Sequence, residues 1–96
     1  MDNAVEPDVM ADIEKTLRQF EHHTIRFDHI STRRSGQRRF VDLHMHMTAG
    51  WTLGRAAAVR AAVEQALMSA VPGLRATIQL LPSDVETHTQ DEEDML

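Results

Sequence analysis

The chain has 96 residues, carries 15 acidic against 10 basic side chains for a formal net charge of -5, and contains no cysteine. A chain of this length makes one small domain with a large wet surface, so burial against a second copy would add stability. The acidic balance argues against general nucleic-acid affinity, the lack of cysteine excludes disulfides and thiolate metal sites, and no run of about 18 apolar residues is present to span a bilayer.

The N-terminus MDNAVEPDVM is acidic and has no apolar stretch, unlike a signal peptide. Residues 1–6 read as a disordered start, 7–82 as the folded domain and 83–96 as an acidic flexible tail ending in DEEDML. Pro7 suits the first turn of a helix, where its missing N–H is no loss. Asp8, Asp12 and Glu14 complement the positive helix end. Val9, Ile13, Leu17 and Phe20 recur at helical spacing, which predicts a helix ending near His22. Ile25 to Ser31 predicts a strand with Ile25, Phe27 and His29 on one face. Ser35-Gly36 is turn chemistry. Phe40 to Met47 predicts a second strand, with Val41, Leu43, Met45 and Met47 on one side and Phe40, Asp42, His44 and His46 on the other.

Thr52 is a fitting N-cap for a second helix, whose buried stripe is Leu53, Ala56, Val59, Val63, Ala66, Leu67 and Ala70. Pro72-Gly73 stops it. Arg75 to Leu81 predicts a third strand, ended by Pro82. The order α-β-β-α-β gives an α+β two-layer sandwich, a three-stranded sheet with two helices on one face. The other sheet face, holding Phe40, His44, Phe27 and His29, has no second layer from this chain. An exposed apolar face of that kind invites a partner, and a symmetric homodimer through Phe27, Phe40 and Trp51 is the simplest one.

Six histidines are a rich supply of ligands: His22, His23, His29, His44, His46 and His88. In a hairpin His29 and His44 come opposite or diagonal on one face, and two imidazoles there can reach one divalent ion at about 2.0–2.1 Å, the usual zinc–nitrogen distance. Asp42 and His46 flank His44 and can complete the site. With only His, Asp and Glu on offer, zinc suits best, or harder ions if carboxylates dominate. Strand histidines also occur simply as half-buried polar surface. His22-His23 fits a helix C-terminus, where imidazoles favour the dipole and cap carbonyls. Arg33, Arg34, Arg38 and Arg39 crowd one turn, as a solvated hairpin tip, an electrostatic patch for an acidic partner, or a contact with anionic lipid. Met45 and Met47 read as core. No nucleophile–base pair, phosphate loop or HExxH motif is present, so nothing specific supports an enzyme.

HISTRRSG, RRFVDLH, the helix with VEQAL and the closing VPGLRATIQLLP together resemble the cytoplasmic C-terminal domain of cation diffusion facilitator transporters, from about Pro7 to Pro82. The resemblance implies a ferredoxin-like, metallochaperone-like fold on the cytoplasmic face of a membrane, paired as a homodimer and attached to a transmembrane domain. It also implies metal ligands at His29 and His44, while the family's remaining ligand positions fall on Ala57, Gln79 and Leu81, none of which is a good zinc ligand. The full binuclear zinc site is therefore not expected. Two functions compete: a regulatory and dimerisation domain of a divalent-cation efflux transporter with a reduced, weak metal site, and a free-standing metal-binding protein. A dimerisation scaffold that binds no metal is a variant of the first. An RNA-binding module using the arginine turn would need a strongly salt-dependent affinity, which the net charge disfavours.

Overall fold

Five elements follow in the predicted order, α1 (Pro7–Arg18), β1 (Ile25–Ser35), β2 (Arg38–Met47), α2 (Leu53–Ala70) and β3 (Leu74–Pro82). The structure, a computed structural model, describes residues 4–48 and 50–82. The acidic tail and His88 lie outside the described residues.

Pro7 opens α1 at its first turn, and the apolar stripe buries Ile13 and Leu17 almost completely. Thr16 is buried too, and its hydroxyl donates to the Asp12 carbonyl at 2.8 Å, the back-bond that lets a threonine sit inside a helix. The helix ends at Arg18, a turn earlier than the periodicity suggests. Gln19 and Phe20 N–H groups tighten onto the Thr16 and Leu17 carbonyls, and His22 and Ile25 then exchange two backbone hydrogen bonds of 3.1 and 3.0 Å. His22 Nδ1 accepts from the Thr24 N–H at 3.2 Å. The His22-His23 pair thus belongs to a tight turn and does not cap the helix.

The start of the fold is also earlier than expected. Val5 is buried in the core. The Glu6 carboxylate takes two hydrogen bonds from Arg39, Nε to Oε1 at 3.1 Å and Nη2 to Oε2 at 2.6 Å, with Arg34 Nη1 3.7 Å away. This bidentate pairing holds the Glu6 carboxyl at about 2, well below its ordinary 4.5. Val5 and Glu6 therefore belong to the fold and are not a frayed lead.

β2 is the central strand. It pairs with β1 as an antiparallel hairpin and with β3 in parallel. Ser35 pairs with Arg38, leaving Gly36 and Gln37 as a two-residue loop. Gly36 adopts φ +63 there, a conformation that costs a glycine little and suits the primed turns that match strand twist. The parallel pairing needs a crossover, and α2 supplies it. Thr52 caps α2 by accepting the Arg55 N–H at 3.1 Å. Ala56, Val63 and Leu67 bury its inner face; Leu53, expected on that stripe, is 85% exposed in the first turn, and Ala70 is exposed at the last. Both helices cover one sheet face, where Val41, Leu43 and Met45 of β2 meet Ile25 and Phe27 of β1 and Leu74 and Ile78 of β3. No helix among the described residues is long and apolar enough to cross a membrane.

One irregularity reorganises the hairpin. Asp28 pairs with His44 and Ser31 with Asp42, so β1 carries one residue more than β2 across this interval, a β-bulge. Continuing the register of the turn without interruption would pair His29 with His44 and Phe27 with His46, all on the open face. The bulge shifts the lower half of β1 by one position. Phe27 opposes Met45 and is buried in the core, which corrects its expected place on the open face. Arg26 and Asp28 take the open side instead.

Candidate metal centre

The bulge also decides what the open face presents. His29 occupies the left-handed region with φ 52, the one non-glycine residue to do so among the described residues. Such a conformation costs an L-residue of the order of 1–2 kcal/mol, though histidine tolerates it better than most. It lets the consecutive residues Asp28 and His29 both point toward His44. The His29 and His44 rings lie 4.6 Å apart, tilted by 30°.

Asp28 Oδ1 is the centre of the arrangement. It accepts hydrogen bonds from His29 Nδ1 at 2.9 Å and from His46 Nε2 at 2.7 Å, and His44 Nδ1 stands 3.9 Å away. Arg26 Nη1 lies 3.8 Å from the other carboxylate oxygen. Partial burial pushes the Asp28 carboxyl up, but the hydrogen bonds from His29 and His46, together with their charge, outweigh it and hold it below the usual carboxylate range. An ionised carboxylate only accepts, so the proton of each of these two bonds sits on the imidazole nitrogen. A hydrogen bond to a charged acceptor from the fully buried His46 is worth about 1.5–3 kcal/mol.

Asp28, His29 and His44 offer one donor atom each, all within 4.8 Å of one another. His44 Nδ1 is buried and makes no hydrogen bond among the described residues. A buried donor atom left without a partner beside an ionised carboxylate is a poor end state for a polar core and a good start for a cation site. Two imidazoles and one carboxylate suit zinc and related divalent ions, and three protein ligands leave a position open. The donor set present therefore fits a divalent metal.

The structure brings together only part of the predicted set. His29 and His44 converge. Asp42 is exposed, pairs with Ser31 beyond the bulge and stays out of the group. His46 is fully buried and meets the site through Asp28. Asp28 itself was not singled out by the sequence, because an unbroken alternation puts it on the core side with Met45. Gln79 is the neighbour of His44 on β3 and Leu81 that of His46.

The residues expected to share a dimer face occupy three settings. Phe27 is core. Phe40 is on the open face under the Arg33 guanidinium, 4.1 Å from its ring centre. Trp51 packs against the core from the helix side with Arg55 4.2 Å over its ring, beside a groove lined by Phe20, Ile25 and Val59. The arginine patch is divided too: Arg34 and Arg39 engage Glu6, which leaves Arg33 and Arg38 at the tip.

Comparison with known proteins identifies the family to which this fold belongs. The family model for the cation efflux protein cytoplasmic domain matches residues 5–83; the chain belongs to this family. The transporter CzrB superposes with a TM-score of 0.73 at 28% identity, covering 81% of this chain and 96% of that one. The metal-bound C-terminal domain of the CzcD transporter from Thermotoga maritima shares the fold with a TM-score of 0.71 at 17% identity, covering 79% of this chain and 88% of that one. An uncharacterized transporter of Synechocystis is 28% identical over 82 residues, 85% of this chain but 26% of that protein. The chain thus spans about a quarter of the curated relative it matches.

Proposed function

We propose that this chain is the regulatory and dimerisation domain of a divalent-cation efflux transporter, and that Asp28, His29 and His44 form a reduced metal-sensing site on its open sheet face. The convergence of those three donor atoms, with His44 Nδ1 buried and making no hydrogen bond among the described residues, carries the reading. The metal-bound state of the CzcD domain and the zinc form of CzrB support it. Zinc is the first candidate ion. Asp28, His29 and His44 would hold it, and the ion would supply the positive charge that draws further ligands, including those of a second copy, toward the face.

The partner is a second copy of the chain, and the parent is a membrane transporter. Metal would act by population shift, favouring the dimer arrangement in which extra ligands reach it. About 1.4 kcal/mol of differential binding suffices for a tenfold shift. Contact with anionic lipid would rest on the arginine turn, Arg33, Arg34, Arg38 and Arg39.

The test is calorimetric titration of the metal-free domain with zinc and then manganese, with size followed by light scattering. Saturable binding and compaction that vanish in the His29→Ala, His44→Ala double variant are expected. A stable dimer with no heat from either ion would make the domain a constitutive scaffold and sink the metal site. A monomer that binds zinc would favour the free-standing metal carrier.

A further inference from the structure

His46 is the anomaly of the open face. Among the described residues that point to this side of the sheet, it alone is fully buried. It sits on the central strand two residues from His44, with Arg26 and Leu81 as its neighbours across the sheet. Its ring stands edge-on to His44 with centroids 6.3 Å apart. Its Nε2 donates to Asp28 Oδ1 over 2.7 Å, the shortest contact that this carboxylate makes with an imidazole.

We infer that His46 is a positioning residue that fixes the Asp28 carboxylate toward His29 and His44 and does not itself bind metal; this rests on the site proposed above. The geometry argues for the division of labour. The converging donor atoms are those of Asp28, His29 and His44, whereas the His46 Nε2 proton is committed to the carboxylate. Asp28 is about a third exposed and has a competing cation, Arg26, 3.8 Å from its other oxygen. A carboxylate in that setting turns freely about its own bonds unless something rigid holds it. His46 has no exposed surface, so its ring has little room to turn. A ligand pinned by a buried hydrogen bond needs no reordering when the cation arrives, and partners of this kind are worth about 10–100-fold in metal affinity.

Cobalt(II) titration of the metal-free chain, read by visible absorption, tests this in wild type, His46→Met and His46→Gln, with thermal unfolding run alongside. His46→Met removes the donor and keeps an apolar filling; affinity is expected to fall about 10–100-fold with a changed absorption spectrum. The glutamine amide reaches the place of the Nε2–H, so His46→Gln is expected to restore most of the affinity. His46→Met added to Asp28→Asn should cost no further affinity, because the two act through one contact. Wild-type affinity and spectrum in His46→Met would overturn the inference, as would His46→Gln binding as weakly as His46→Met at equal stability. If wild type takes up no cobalt, the metal reading fails by itself. The inference is then judged on the metal-free protein by Asp28 side-chain NMR couplings: averaging in His46→Met supports it, and unchanged couplings refute it.

Discussion

Replacing Asp28 by alanine removes the acceptor from the fully buried His46 Nε2 and leaves that N–H without its carboxylate. A buried donor stripped of its partner costs about 1–3 kcal/mol. The second bond lost, from His29, is exposed on the imidazole side and adds little. The expected destabilisation is therefore about 2 kcal/mol, nearly all of it through His46. For a domain of this size each kcal/mol moves the melting temperature by about 4–8 °C, so Asp28→Ala should melt roughly 8–16 °C below wild type. Circular dichroism melts in chelator, at one protein concentration and near neutral pH, give the number without any contribution from metal or from a shifted dimer equilibrium. Asp28→Asn keeps an acceptor and should fall in between. If Asp28→Ala melts within about 2 °C of wild type, the His46–Asp28 bond is not holding the open face together and the reasoning fails.

Three further outcomes follow from named contacts. His29→Gly relieves the left-handed backbone at φ 52 while raising the entropy of the unfolded chain. Its melting temperature should be unchanged or slightly higher while metal affinity is lost, whereas β-branched His29→Val should destabilise by more than about 1 kcal/mol. Glu6→Gln should lower stability near neutral pH. Because the folded carboxyl is held at about 2 against an ordinary 4.5, the stabilisation is fully present above about pH 4.5 and disappears as pH falls through about 2; urea unfolding of both proteins across that window should show the gap closing. Thr52→Ala removes the hydroxyl that accepts the Arg55 N–H and should cost about 1 kcal/mol in urea unfolding, with metal binding intact.

Most of the architecture was legible because the residues repeat at the right period. Val41, Leu43, Met45 and Met47 read as one face of a strand and are one face of β2. Thr52 read as a cap and is one. The turn between His22 and Ile25 was not legible, since His22 closes it with its own ring and no glycine or proline marks it. Nor was the burial of Val5, which follows from Glu6 finding Arg39 33 residues away. The site was half legible. His29 and His44 were visible as a pair, but their third partner depends on the bulge. That one extra residue moved Phe27 inward, brought Asp28 to the open side and turned His29 beside it. Nothing in DHIS announces a bulge, because the residue in the left-handed region is a histidine where a glycine would have signalled it.

The tie between Glu6, Arg39 and Arg34, with Val5 sealed beneath, has a mechanical meaning. Residues 5 and 6 meet the domain without slack: they are bolted to the hairpin that also carries His44. Any rotation of the hairpin carries residues 5 and 6 with it as one anchored joint. The candidate site and this joint thus share β2, a few residues apart.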